Sequence, residues 1–226
     1  MNFQGNFKSI GQVDVSALRA LVERLTPQHW LADQARQSRY EVHQHTQAIA
    51  LVYDDDFRHA NPTIQAPFQF FEAAVMPIVQ YVAEYYDSTD LGKDLVNKHG
   101  QGYCIRLNLV RLNPCGEIIA HQDKNFSLAH SHRVHIAIIS NEHVLFTVDE
   151  ESKVLLPGQV VEINNRRMHS VVNASQEARV HLIMDWVISG EQCCCASKTH
   201  PDIPCSMQAC LQTDRLATPC TCFEPR

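Results

Sequence analysis

At 226 residues with 45% apolar content, the chain can bury one good core, which sets the domain count at one or at most two. A formal net charge of -6 argues against a nucleic-acid partner held through a general basic surface. No apolar run reaches the roughly 20 residues a membrane helix needs, and Met1-Asn2-Phe3-Gln4-Gly5 does not open a secretory pattern, so the expectations are no membrane partner and a cytoplasmic location.

From residue 1 to about 100 the periods are helical with one strand between them. Val13 to Leu25 repeats apolar residues at three- and four-residue spacing and stops before Pro27. Ala48 to Tyr53 reads as a strand ended by Asp54-Asp55-Asp56. That triplet is expected to be a solvated turn, because consecutive strand carboxylates point to opposite faces. Pro67 to Tyr86, with Phe68, Phe71, Val75, Ile78, Val79, Val82, Tyr85 and Tyr86, predicts a longer helix with an apolar stripe.

From 103 to 188 the signal changes to short strands separated by turn chemistry. They are expected at Tyr103–Asn113, Glu117–His121, Arg133–Ser140, Val144–Asp149, Gln159–Ile163, His169–Val172 and Ala178–Val187, with turns at Pro114-Cys115-Gly116 and Pro157-Gly158. So many strands without an intervening helix imply a sandwich or barrel-like pair of sheets, braced on one outer face by the preceding helices. Residues 189–226 carry seven of the nine cysteines and no period, and read as an irregular tail. Its Cys205-x4-Cys210-x9-Cys220-x-Cys222 spacing does not fit ordinary zinc pairs. Soft-metal binding, cross-linking to other chains and an unspecialised tail all stay open.

The strand region also carries the chemistry. Residues i and i+2 of a strand share a face, so His121 with Asp123, Arg133 with His135, and Arg179 with His181 can each point into one cavity. His-x-Asp plus the distant His169 supplies the two imidazoles and one carboxylate of a facial Fe(II) site. An arginine ten positions past that histidine suits a dicarboxylate co-substrate, because a guanidinium can meet a carboxylate through two parallel hydrogen bonds.

The stretches Leu109-Val110-Arg111-Leu112-Asn113-Pro114, Ile119-Ala120-His121-Gln122-Asp123, Arg133-Val134-His135-Ile136, Leu156-Pro157-Gly158, Ile163-Asn164, His169-Ser170-Val171 and Arg179-Val180-His181-Leu182-Ile183-Met184-Asp185 resemble the aspartyl/asparaginyl β-hydroxylase family of Fe(II)- and 2-oxoglutarate-dependent dioxygenases, over about 85 of 226 residues. The resemblance implies a mainly β fold, a double-stranded β-helix (jelly-roll, cupin-like) core with flanking N-terminal helices. It implies one dioxygenase domain over 1–188, with a helical and strand part at 1–102 and the β-helix at 103–188. By the same resemblance His121, Asp123 and His169 are the catalytic iron ligands, Arg179 pairs with the distal carboxylate of 2-oxoglutarate, and Arg133 and His135 contact the co-substrate's carboxylate ends. Fe(II), 2-oxoglutarate and O2 are the implied cofactors, with ascorbate as an aid in vitro. Some family members have a small residue where Asp123 stands, and related halogenases need that position vacant, so the resemblance implies hydroxylation of an unactivated C–H.

The substrate is less legible. A small molecule, an amino acid, or a peptide- or carrier-bound residue is expected, since no lectin-like or repeat module is visible. Lys124 to His132 is long and polar enough to be a loop over the metal. Arg106 with Asn108, or Arg166-Arg167, can anchor a substrate carboxylate or phosphate, although Arg166-Arg167 also read as solvated turn residues. Two other classes keep the same ligands or the same fold: a metal-binding cupin-like isomerase or hydrolase without oxygen chemistry, and a non-catalytic binding module.

Overall fold

The computed structural model describes residues 3, 5–31, 44–55, 62–123, 126–129 and 131–191. Eleven strands among them, all paired antiparallel, form two sheets. In chain order these are β1 (Phe7–Gln12), β2 (Thr46–Tyr53), β3 (Thr63–Ile64), β4 (Tyr103–Leu112), β5 (Glu117–His121), β6 (His132–Ile139), β7 (Val144–Val148), β8 (Glu151–Lys153), β9 (Gln159–Ile163), β10 (His169–Asn173) and β11 (Arg179–Val187). The larger sheet runs β1-β9-β6-β11-β4-β2-β3 and the smaller β5-β10-β7-β8. From β4 onward the chain crosses between sheets at every step but one, the β7–β8 hairpin. Eight strands wound this way are a double-stranded β-helix, the expected fold class.

Five helices accompany the sheets, and the first four share a core with the larger one. They are α1 (Ser16–Glu23), α2 (Pro27–Leu31), α3 (Phe68–Ser88), α4 (Asp90–His99) and the single turn α5 (Phe126–Ala129). The α3 stripe Phe71, Val75, Ile78, Val82 and Tyr86 recurs every three or four residues and packs in one core with Leu107 and Leu109 of β4, Val134 and Ile136 of β6, and Leu182 and Met184 of β11. No helix among the described residues is long and apolar enough to cross a membrane.

Strand parity then decides which residues face inward. With Leu107, Leu182 and Ile136 turned to the helices, Arg106 and Asn108 of β4, Arg133 and His135 of β6, and Arg179, His181 and Asp185 of β11 share the face toward the smaller sheet. Leu112, Ala137, Phe146, Val161, Ile163 and Val171 fill an apolar plug between the sheets on that side. Because both faces of β11 are covered, eight of its nine residues are buried and it lacks a half-exposed alternation.

Turns hold the strand ends in register. Asn113 O accepts from Gly116 N across Pro114-Cys115, with Cys115 at φ 52. Leu156 O accepts from Gln159 N across Pro157-Gly158, where Gly158 takes φ 87 and a Cβ would lie 2.8 Å from Val13 O.

Four features depart from the expectations. β1 and α4 carry no strong period, yet β1 pairs with β9 across a bulge at Ser9/Gly11, and Thr89 caps α4 by accepting from Gly92 N at 2.9 Å. Asp54 is fully buried, not solvated, and accepts a hydrogen bond from the Ser127 hydroxyl of α5; Asp55 is exposed, and Asp56 lies outside the described residues. Arg166 is buried and Arg167 is paired with Asp149 at 2.6 Å, so neither is a free solvated turn cation. Packing also continues past residue 188: Ser189, Gly190 and Glu191 are buried. The cysteine-rich segment beyond them lies outside the described residues.

Candidate metal centre

β5 and β10 pair with His121 directly opposite His169, which brings the two imidazole centroids to 4.2 Å. Asp123 follows β5 by two residues and shares the face of His121. One ligand atom from each of the three lies within 4.8 Å of the others, a spacing that can hold a metal ion. The sequence-predicted trio is thus brought together by one strand pair and its exit.

Both imidazoles are oriented by their own backbone. The His121 Nδ1 is 2.8 Å from Ile119 O, and the His169 Nδ1 is 2.9 Å from Arg167 O. A carbonyl can only accept, so each Nδ1 carries the proton and each Nε2 presents its lone pair, the tautomer a metal needs. Burial, with His121 adding to it and Asp123 opposing it, drops the His169 pKa to about 4, so this imidazole is neutral near pH 7.

The carboxylate is held as firmly. Burial raises the Asp123 pKa, but Arg133, His169 and His121 outweigh it and hold the group below the ordinary carboxylate range. Its Oδ2 accepts from Arg133 Nη1 at 2.7 Å and from Asn165 Nδ2 at 3.1 Å, while its backbone N–H donates to Asn165 O. Arg133 spends its other edge on Asp185, with Nε to Oδ1 at 2.8 Å and Nη2 to Oδ2 at 2.9 Å. Each of the three Arg133 nitrogens thus makes one bond to Asp123 or Asp185, which leaves one N–H on each terminal nitrogen for the expected co-substrate contact. Asp185 and Asn165 were not singled out from the sequence. Strand parity was the one available signal for Asp185, which shares a face with Arg179 and His181.

Further down the inner face, His135 and His181 approach each other, Nδ1 to Nδ1 at 3.4 Å, and His135 sets its ring edge-on to Phe146. Burial first, then Arg179, lowers the pKa of both well below the usual histidine range. Arg179 is 1% exposed. Its Nη2 donates to His181 Nδ1 at 2.6 Å, while Nε and Nη1 have no partner among the described residues. Burial alone brings its pKa down to about 9, with no carboxylate opposing. A desolvated guanidinium without a counter-charge is costly, and a ligand carboxylate is what would satisfy it.

Arg106 and Asn108 are buried on the same face, with Arg106 opposite Asp185 in the β4–β11 register and its guanidinium carbon 5.3 Å from the Tyr53 ring centroid. The stretch after Asp123 is helical where described, and Ser127 and Leu128 are buried in α5.

Residues 93–188 match the family model described as aspartyl/asparaginyl beta-hydroxylase. The matched region is an aspartyl/asparaginyl β-hydroxylase-like domain. It contains His121, Asp123, Arg133, His135, Asn165, His169, Arg179, His181 and Asp185. The match covers 96 of the 226 residues and supports a 2-oxoglutarate-dependent hydroxylase, with Fe(II), 2-oxoglutarate and O2 as the cofactors it implies. No curated protein matches the sequence. Among solved structures the chain is similar to a 2OG-Fe(II) oxygenase family oxidoreductase from Burkholderia pseudomallei, at 13% identity over 78% of this chain and 91% of that one, TM-score 0.46. A Pseudomonas putida prolyl-4-hydroxylase matches at 13% identity over 83% and 95%, TM-score 0.45. The non-heme alpha-ketoglutarate-dependent epimerase SnoN from nogalamycin biosynthesis matches at 12% identity over 82% and 79%, TM-score 0.48.

Proposed function

We propose that this hydroxylase inserts oxygen into an unactivated C–H of a small substrate, an amino acid or a peptide- or carrier-bound residue, with His121, Asp123 and His169 holding Fe(II). The observation that carries the reading is the pairing of two features on one inner face. A His-Asp-His trio presents nitrogen and carboxylate oxygen, the donor set suited to Fe(II), and the buried Arg179 on the same face has donors unsatisfied among the described residues. When bound, the metal supplies the redox chemistry by which 2-oxoglutarate and O2 give succinate and CO2 while the substrate C–H becomes C–OH.

The chain's own residues do the rest. Ile119 O and Arg167 O fix the imidazole tautomers, and Arg133 and Asn165 hold Asp123 ionised and aimed. Arg179 takes the distal carboxylate of 2-oxoglutarate, and the apolar plug around Phe146 and Val161 keeps water from that contact. Arg106 and Asn108, on the strand next to β11, support a polar substrate. The working unit proposed is the chain through Glu191, the last of the described residues and itself buried.

Succinate formation from 2-oxoglutarate with Fe(II), ascorbate and O2, over a panel of amino acids and peptides, tests the reading. One pool should stimulate succinate release in the wild type, and Asp123→Ala should lose at least about 100-fold, more than an outer-shell change. No succinate with any pool, together with no 2-oxoglutarate binding to the anaerobic Fe(II) protein, would leave a binding module. Turnover of a substrate without 2-oxoglutarate would instead favour a cupin-like isomerase or hydrolase.

The Asp185 carboxylate adds a separate test. Asp185→Asn removes the charge that clamps Arg133 from behind, and should weaken Fe(II) binding by roughly 10- to 100-fold, the usual cost of an outer-shell change. Anaerobic calorimetry reads it directly; wild-type affinity would mean that Arg133 aims Asp123 without help.

A further inference from the structure

We infer that His181 is a positioning residue for the co-substrate: it fixes the Arg179 guanidinium, through Nδ1, in the orientation that receives the distal carboxylate of 2-oxoglutarate. The inference rests on the proposed role of Arg179 and names what sets its geometry.

Arg179 and His181 lie two apart on β11 and so share a face. Both are 1% exposed, so neither can be steadied by bulk water. The contact between them is short, 2.6 Å from Nη2 to Nδ1. A guanidinium only donates, so Nδ1 accepts, and the neutral ring carries its proton on Nε2. This is an unusual use of histidine beside arginine. An imidazolium there would place two cations in contact in a dry interior, and the depressed pKa of His181 agrees that the ring stays neutral.

The surroundings leave few other ways to hold the guanidinium. Across β6 the Cα partner of His181 is Ala137, and across β4 it is Val110. Leu112 is the β4 partner of Arg179. None of these side chains carries a polar atom. His181 Nδ1 thus accepts from Arg179 Nη2, while Nε and Nη1, without a partner among the described residues, remain for a ligand. His135 closes the other side, its Nδ1 at 3.4 Å and its ring 5.6 Å away at 75°. An arginine that must meet a carboxylate at one distance from the metal has to be held at one rotation, and this contact supplies that hold. The consequence is selectivity for co-substrate length.

The test compares His181→Asn, whose Oδ1 can accept where Nδ1 does, with His181→Leu, which cannot accept, and His181→Gln, whose acceptor sits one bond further out. Binding of 2-oxoglutarate and of its one-carbon-longer homologue 2-oxoadipate is measured calorimetrically on anaerobic protein loaded with Fe(II), with kcat and KM alongside. His181→Leu should bind 2-oxoglutarate roughly tenfold or more weakly, the loss of one hydrogen bond to a charged group, and the preference over 2-oxoadipate should shrink. His181→Asn should restore both, and KM should move more than kcat. If Leu does not fold, Asn at wild-type affinity with Gln weakened gives the same answer. Equal weakening in Asn and Leu, or an unchanged length preference in Leu or Gln, overturns the inference and leaves His181 as packing. Wild-type protein that binds no 2-oxoglutarate at all fails earlier, on the role of Arg179 itself.

Discussion

Replacing Arg179 by lysine should raise the dissociation constant for 2-oxoglutarate by about two orders of magnitude, the cost of one or two charge-assisted hydrogen bonds, while Fe(II) affinity stays unchanged. The substitution keeps the nominal charge, but lysine offers a point charge in place of a planar fork. The site is also dry enough to pull the guanidinium pKa down to about 9 by burial. An ammonium, with a lower starting value, is shifted further toward neutrality by the same burial. The more telling variant is Arg179→Met. Without ligand the wild type carries a buried cation whose Nε and Nη1 find no partner among the described residues, and replacing buried charge with a well-packed apolar side chain is commonly neutral or stabilising by about 1–4 kcal/mol. Thermal unfolding should therefore show Arg179→Met at or above the wild-type midpoint in buffer. Added 2-oxoglutarate should raise the wild-type midpoint and leave the variant unmoved. A lysine variant with wild-type affinity would place the distal carboxylate elsewhere.

That division between a ligand site and its protein supports marks where the sequence could be read. Residues 103–188 announce themselves as strands because the segments are short and apolar on at least one face, with Pro-Cys-Gly and Pro-Gly turns marking two of the connections. His121 and Asp123 could be paired by parity alone, and His169 joins them through one antiparallel register. The supports were not legible in the same way. Arg133 finds Asp185 52 residues on, and Asp123 finds Asn165 42 residues on. Such contacts depend on which strands become neighbours in the sheet, which no period within a single strand encodes. β1 and α4 were missed for the opposite reason: they are marginal locally and are held by pairing with β9 and by the Thr89 cap. Asp54 misled because an acidic run at a strand end normally meets water, whereas here α5 covers it and Ser127 donates to it.

The largest stability effect expected lies on the other face of the same sheet. His132 sits between two buried carboxylates, with Nδ1 2.6 Å from Glu162 Oε1 and Nε2 2.7 Å from Glu191 Oε2. Tyr86 of α3 covers the ring at 4.6 Å, and Lys8 of β1 approaches Glu162 Oε2 at 3.5 Å. Both ring nitrogens face acceptors, so the ring is an imidazolium. Burial works against it, but Glu191 and Glu162 outweigh burial and raise its pKa to about 9. His132→Leu strands two carboxylates in the interior, and removing one partner of a buried ionic cluster costs about 3–5 kcal/mol. The pH dependence has a definite sign. Because the folded value lies above the ordinary 6.5, the contribution is complete below about pH 6.5 and fades as pH rises through about 9. On the acid side, burial opposes and His132 more than restores the low pKa of Glu191, about 2, so that carboxylate's contribution holds above its ordinary value of 4.5 and is lost as pH falls toward 2. Urea unfolding of wild type and His132→Leu should differ most between about pH 5 and 6.5 and converge above about pH 9. The same cluster sets where the chain can be shortened. A stop after Ser189 removes Glu191 and should reproduce part of the histidine loss, while a stop after Glu191 should keep the wild-type midpoint. Equal midpoints for wild type and His132→Leu at pH 6 would mean that desolvating the three charges cancels their attraction, leaving Glu191 no part in anchoring the segment after β11.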